Sequence, residues 1–480
     1  MGWRERAGST RWGLVVIAVG VALRVAWVFA VDPELVKDSG WYFSHAVDIA
    51  DARGYQEAGQ PTAYWPVGYP AALGGLFSLV GPDLIAARLL NVALAAVTLG
   101  CLLVIARRVT GSPLAANLAV LLYALYPADV AYSSLIVSEP LFNALMMAGV
   151  ACLLTLRHPI ARPAAAGVCF GVAALTRAHG LLLPGLVGIG ALLLAGDSWK
   201  RSAAVIAATY LALGATIAPW CIRNLIELDA FVPVSTNGGV NLYIGNNPHA
   251  TGSYHFDEQV KEPLRAAGVG RWRGGPGEVE IDRVASGLAR RYILENPGAT
   301  IALWPAKLTA LYGAESTVFE WNRRVPPSQA GRVRAIRRTS RLIYPALWFL
   351  ALMGLAASQL GRRVAHLPVR APLFAAAVAI AMPGLGWSAV AVAALAGWLA
   401  VRDGSPPRLL LPWLAPAVIV GFTAVQLVYF GASRYHHVMM PWVTVLAGSF
   451  LAQVFGPGRR LAEASPASRV AAGASVSPAG

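Results

Sequence analysis

Charge is scarce in this chain. Only 13% of its 480 residues are Asp, Glu, Lys or Arg, against about 25% in a soluble domain. That is too little to cover the two or three soluble domains its length alone would suggest. Cysteine is scarcer still. Cys101, Cys152, Cys169 and Cys221 lie in or beside apolar stretches, and none has metal-ligand spacing. A disulfide scaffold or a zinc ribbon is therefore excluded, and the four read as small apolar packing residues. No Walker-type glycine loop occurs, so ATP-driven pumping has no support. No HExxH pair occurs either, which argues against a membrane zinc protease. His436 and His437 are adjacent, so their rings would project differently from a helix. No metal and no other cofactor is assigned.

What is present is apolar sequence, 56% of the chain. A helix that crosses a bilayer needs about 20 apolar residues. Runs near that length fall at 12–31, 84–106, 113–132, 139–156, 163–179, 180–196, 202–220, 341–360, 371–384, 386–401, 409–430 and 436–455. The expected fold class is an all-α integral membrane protein with about 12 transmembrane helices (11–13). The first run contains Arg24 and is followed by no small-residue cleavage site, so it reads as a retained span rather than a signal peptide.

The net charge of +15 is not a nucleic-acid footprint. Its basic residues sit in short clusters between apolar runs, at Arg107-Arg108, Lys200-Arg201, Arg362-Arg363 and Arg459-Arg460. That is the positive-inside pattern, and it places both termini in the cytoplasm of a multi-pass protein of the inner (plasma) membrane. Residues 32–83 then form a first outer loop and 221–340 a larger one. The expected organisation is an N-terminal membrane module over 1–220, the extracytoplasmic loop 221–340, a C-terminal membrane module over 341–456, and a disordered tail over 457–480.

Two short apolar runs resist the scheme. Residues 69–81 read as an interfacial or re-entrant piece. Residues 299–312, with Pro305 and Lys307, are laid along the outer interface, which leaves the basic block Arg323 to Arg338 outside. In the larger outer loop, Asn237-Gly238-Gly239 and Asn246-Asn247-Pro248 read as turns. Residues 278–296 read as an amphipathic helix with Val279, Val284, Leu288, Tyr292 and Ile293 on its apolar face.

Chemistry-bearing residues gather on the outer side. Asp38 lies just beyond the first span, ahead of Tyr42 and of the turn Pro61-Thr62-Ala63-Tyr64-Trp65-Pro66-Val67-Gly68-Tyr69-Pro70. Glu139 opens a span in Ser138-Glu139-Pro140. A carboxylate at a membrane boundary is costly unless it is exposed, paired or functional, although a helix N-terminus alone would also stabilise it. Arg177, Arg223 and Arg434 lie near the same face. Arginine forks suit a phosphate-bearing lipid, and snorkelling to headgroups is the plainer alternative.

Taken in order, several motifs resemble the bacterial membrane glycosyltransferases of GT-C fold related to protein O-mannosyltransferases and lipid A aminoarabinose transferases (glycosyltransferase family 39-like). They are Asp38 four residues before Tyr42, Gly54-Tyr55, Thr62 to Pro70, Ala87-Arg88-Leu89-Leu90-Asn91, Ser138-Glu139-Pro140, Thr176-Arg177, Pro219-Trp220 with Arg223-Asn224, and Arg434-Tyr435 before Pro441. The resemblance covers about residues 10–455. It implies transfer of a sugar from a polyprenyl-phosphate donor to a protein, lipid or glycan acceptor at the outer face, with inversion at the anomeric carbon. It further implies Asp38 as general base, Glu139 as a second catalytic acidic residue, and Arg434 and Arg177 on the donor phosphate. Tyr42, Trp65 and Tyr69 are the expected substrate-binding aromatics. Relatives often carry Lys or His where Trp65 stands, so a cation there is not carried over. A transporter or flippase of lipid-linked sugar is the runner-up. The absence of a repeat between the halves, and the position of the acidic residues at the boundary rather than mid-span, count against it.

Overall fold

A computed structural model describes residues 10–192, 199–267, 273–357 and 414–455. The expected spans 371–384 and 386–401, the Arg362-Arg363 cluster and the 457–480 tail lie outside the described residues. Helices dominate. Four are long and apolar enough to cross a membrane: α1 (Thr10–Ala30), α4 (Leu84–Thr110), α10 (Trp199–Leu228) and the segment Ser433–Phe455. The last is built from α19 (Ser433–His436), a 3-10 turn and α20 (Met440–Phe455). Shorter apolar helices stand between them: α3 (Gly68–Val80), α5 (Pro113–Ala124), α7 (Glu139–Thr155), α8 (Ala161–Thr176), α9 (Leu183–Leu192) and α18 (Leu414–Val428). The chain is a multi-pass membrane protein.

Proline and caps set the boundaries. Asp83 caps α4 by accepting from Ala86 N at 2.7 Å, and Gly111 closes the helix in the left-handed region at φ 65°. Ser112 then caps α5 ahead of Pro113 at the first helical position. Such caps are worth about 1 kcal/mol each. The run 113–132, read as one span, is broken after Ala124. A second helix, α6 (Pro127–Tyr132), starts at Pro127, because proline has no N–H to continue the first.

At the centre α20 packs against α5 and against α17 (Ala330–Ala357), while α1 and α4 close around α5. Close approach is made by glycine. A Cβ at Gly448 would lie 2.6 Å from Ala119 N, and one at Gly354 would lie 2.1 Å from Leu446 O. Small residues let helix backbones meet where the lipid supplies no drive to associate. The 341–360 span proves to be the second half of α17, a 28-residue helix. Its first turns carry Arg332, Arg334, Arg337 and Arg338, so this basic block continues a membrane helix rather than a loop.

The two long loop segments fold on that bundle. In the first loop α2 (Asp38–Ala50) packs on α3 around Tyr42, Ala46, Tyr69, Leu73 and Phe77. The 69–81 run is thus a helix lying against α2. A small hairpin, β1 (Gln56–Glu57) with β2 (Gln60–Pro61), follows α2. Its two-residue turn, Ala58-Gly59, has φ 50° and 76°, the conformation hairpins prefer.

In the larger loop α11 (Gly238–Gly245), α12 (Glu258–Ala266) and α13 (Pro276–Glu295) share a core of Val240, Tyr243, Val260, Leu264, Ile281, Ala285 and Ala289. Two sequence readings are corrected here. Asn237-Gly238-Gly239 starts α11 instead of forming a turn. The inward face of α13 is Glu278, Ile281, Ala285 and Ala289, with Val284 and Leu288 at its margin. Val279 and Tyr292 stay off that core because small alanines let α11 sit close. The run 299–312 forms α14 (Pro297–Ala302) and α15 (Trp304–Tyr312), neither of spanning length. Lys307 of α15 is fully buried and donates to Leu427 O at 2.9 Å and Asn246 Oδ1 at 3.1 Å. That ties α15 to the end of α18.

Asp282 of α13 accepts from Gly239 N at 2.6 Å, yet burial pushes its carboxyl up to about 6. A raised acid binds its proton more tightly in the folded state, so stability falls as pH rises through the window between the unfolded value and about 6. Asp282→Asn keeps an acceptor for Gly239. It is therefore expected to raise the melting temperature at pH 7.5, with the gain vanishing near pH 4, in thermal scans of the detergent-purified protein.

Candidate active site

Three distant segments meet where the loop between α1 and α4 covers the bundle. Asp38 is the first residue of α2, Glu139 the first of α7, and Arg434 lies in α19. Arg434 joins the two carboxylates: its Nη1 donates to Asp38 Oδ2 at 2.6 Å and its Nε to Glu139 Oε1 at 2.7 Å. Arg177, in the extended residue after α8, reaches the same Glu139 oxygen at 3.0 Å and donates to Ser138 Oγ at 3.1 Å. Both carboxylates stand at helix N-termini, where the dipole favours their charge.

Aromatic faces hold the two guanidinium planes. Arg434 lies 4.9 Å from the Trp321 ring centroid and Arg177 lies 5.5 Å from that of Tyr435. Both distances suit cation–π stacking. Exposure is graded across the cluster: the side chain of Asp38 is 21% exposed, Arg434 16%, Arg177 11% and Glu139 0%. Glu139 Oε1 is shared by two arginines, and its Oε2 is buried without a hydrogen-bond partner among the described residues. A buried carboxylate oxygen left open is unusual.

The sequence-named aromatics divide. Tyr42 is buried, its hydroxyl 3.4 Å from Ser138 Oγ, and burial, then the Asp38 charge, push its phenol up to about 12. It therefore stays a neutral donor. Tyr69 is wholly buried and donates to Asn91 Oδ1 at 3.2 Å, so it supports the floor and offers no surface to a ligand. Trp65 is half-buried, with its ring 4.5 Å from Trp41 and 5.6 Å from Tyr42, and Arg273 lies over it at 5.5 Å.

Arg223, grouped by sequence with the phosphate-seeking arginines, is not part of the cluster. It donates to Tyr55 O at 2.8 Å and Thr62 O at 2.9 Å, clamping the first loop onto α10. Glu278 works beside it: fully buried, it accepts from Ala63 N at 2.6 Å, Thr62 Oγ1 at 2.7 Å and Gly274 N at 2.9 Å. His436 also has another task, with Nδ1 2.5 Å from Leu311 O and Nε2 3.0 Å from Glu315.

Sequence reasoning missed Trp321 as the platform under Arg434. It also missed a second buried pair, Arg24 with Asp129, supported by Tyr123 OH to Asp129 at 2.6 Å. The signal was available: one acid and one base, each inside an apolar run. Arg88 was noticed but not placed. It donates to Asp32 at 2.6 Å and Ser134 O at 3.0 Å, holding the start of the first loop to the bundle.

Residues 76–230 match the family model described as dolichyl-phosphate-mannose-protein mannosyltransferase. The match contains Glu139 and Arg177 but neither Asp38 nor Arg434. No curated protein sequence matches the chain. Among solved structures, the apo oligosaccharyltransferase of Archaeoglobus fulgidus is similar with a TM-score of 0.52 at 11% identity, over 95% of this chain and 52% of that one. The chain thus spans about half the length of that enzyme. ArnT of Cupriavidus metallidurans, bound to undecaprenyl phosphate, aligns at 16% identity over 93% of this chain and 78% of its own, with a TM-score of 0.43. Segment 76–230 thus carries the sequence mark of the mannosyltransferase family, and the chain as a whole has the fold of a GT-C membrane glycosyltransferase.

Proposed function

We propose that the protein transfers a sugar from a polyprenyl-phosphate donor to an acceptor hydroxyl at the extracytoplasmic face. The observation that carries this reading is the joining of Asp38 and Glu139 through Arg434. It brings two carboxylates and a guanidinium into one hydrogen-bonded cluster at the edge of the bundle, which supports reading them as a base, a positioning carboxylate and a phosphate-binding cation. The name of the matched family model, which includes a lipid-phosphate sugar, supports the donor class.

The chemistry follows from the positions. Asp38, the most exposed member, takes the proton of the acceptor hydroxyl as that oxygen attacks the anomeric carbon. The bond from the anomeric carbon to the phosphate oxygen breaks, and polyprenyl phosphate leaves with the electron pair. Attack opposite the leaving group inverts the centre. Arg434 and Arg177 face the growing phosphate charge in a partly dry site, where such donors count most. Glu139, wholly buried, holds both arginines in place behind the acceptor. Trp65 offers a ring face to the sugar. No nucleotide is needed, since the donor is already an activated phosphate ester.

Radiolabelled polyprenyl-phosphate mannose, incubated with the lipid-reconstituted protein and a cell-envelope acceptor fraction, tests the reading. Label is expected to leave the lipid phase. If label only crosses the bilayer on intact lipid, the protein is a flippase. Arg177→Ala removes one of two cations near the phosphate while Arg434 remains. Steady-state kinetics are expected to show donor KM rising about tenfold, equivalent to ~1.4 kcal/mol, with a smaller fall in kcat.

A further inference from the structure

Beside the 62–66 loop lies a cavity of about 510 Å³ between α13 and the chain after α10. It falls within the size range of small-ligand sites, about 300–1,000 Å³. Its walls include Phe231, Thr236, Asp282, Arg283, Ser286 and Arg290. Neither the cluster at Asp38 nor the matched family segment accounts for it.

Two of these residues are in a costly state. Phe231 is 69% exposed although it is a large apolar ring. Thr236 is 2% exposed, and its hydroxyl is buried with no hydrogen-bond partner among the described residues. A buried hydroxyl without a partner is costly, and Thr236 lines the cavity.

We propose that this cavity is a carbohydrate-docking site, separate from the transfer site, that holds a neutral sugar with its ring face on Phe231 and its hydroxyls on Thr236, Ser286, Asp282 and Arg290. The lining decides between a sugar and an anion. Asp282 places a carboxylate in the wall, and Arg283 is already paired with Glu280 at 2.9 Å, so Arg290 alone is too little to hold a phosphate against Asp282. A carboxylate, hydroxyls, one guanidinium and an aromatic face are instead the mixture that pairs with the donors, acceptors and C–H face of a sugar ring.

The cavity also touches the loop of the transfer site. Thr236 N donates to Ala63 O at 2.9 Å. Trp65, two residues on, packs on Tyr42 of the helix that Asp38 begins. A sugar held here lies against the loop that carries Trp65, which suits a second unit of a glycan acceptor.

Saturation-transfer NMR with mannobiose as probe, on the full chain in nanodiscs, tests the proposal without turnover. Its failure is therefore distinct from failure of the transferase reading. Wild type and Asp38→Asn are expected to show equal saturation transfer. Phe231→Ala and Arg290→Ala, both at exposed positions, are expected to weaken it at least tenfold. Thr236→Val keeps the shape and removes the orphan hydroxyl, so binding should weaken while the melting temperature holds or rises. Absence of signal in wild type, signal unaffected by the three cavity variants, or displacement of mannobiose by inorganic phosphate would each overturn it.

Discussion

Asp38→Asn is expected to lower sugar transfer about 10²–10⁴-fold, the usual contribution of a positioned general base, in a protein that still folds. The substitution is nearly isosteric and removes only the charge. Asp38 stands at the N-terminus of α2, partly exposed, and makes its bond to Arg434 from the open side of the cluster. An Asn oxygen can still accept from Arg434 Nη1, so the geometry has no reason to collapse. Donor binding should change little, because both arginines remain. The effect should therefore fall on kcat, with the melting temperature within about 1 kcal/mol of wild type in stability terms. Donor KM and thermal scans on the same preparation check both halves. If kcat is unchanged the base lies elsewhere, and Glu139, the other carboxylate of the cluster, is next.

Arg434→Ala should fail twice. It strips Asp38 of its partner and leaves the buried Glu139 with Arg177 alone. Removing one member of a buried ion pair costs about 3–5 kcal/mol, and the surviving Arg177 places this case at the lower end. It also removes the cation that faces the leaving phosphate. Arg434→Lys separates the two losses. An ammonium keeps the charge but lacks the fork that reaches both carboxylates while lying flat on Trp321. Arg434→Lys should fold and bind donor weakly. Arg434→Ala combined with Glu139→Gln should regain part of the stability, because the fully buried side chain is then neutral although Arg177 loses its carboxylate partner, and should stay inactive. Recovery of turnover in that double variant would show that the arginine is structural.

Much of this architecture was legible because lipid is a demanding solvent. Scarce charge and repeated apolar runs pointed to a helical membrane protein, and Asp38, Glu139, Arg177 and Arg434 stood out as charges at span ends. What the sequence could not show was their partnership. Asp38 and Arg434 are separated by 396 positions, and nothing in local pattern pairs them. Nor could pattern tell Arg223 from Arg177, since both stand near the end of an apolar run. Only the fold shows that one meets backbone carbonyls and the other a carboxylate.

The misread elements have physical causes too. The run 113–132 is continuous in hydropathy, but Pro127 breaks it and turns Asp129 toward Arg24. In α13 the periodicity favoured large apolar residues, while the packed face uses alanines and one buried glutamate, Glu278, that accepts three hydrogen bonds from the first loop and Gly274. Hydrophobicity alone undervalues such a position. Tyr69 was named for its place in an aromatic turn, and its burial against Asn91 shows that the turn also builds the floor.

The central claim is that the Asp38–Arg434–Glu139 cluster moves sugar off a lipid phosphate. It is tested most directly by following radiolabelled polyprenyl-phosphate mannose with wild type and Asp38→Asn, side by side in proteoliposomes supplied with envelope acceptor. The account predicts that label passes from lipid to acceptor with wild type and stays on lipid with Asp38→Asn. Transfer at equal rates by both proteins would contradict it.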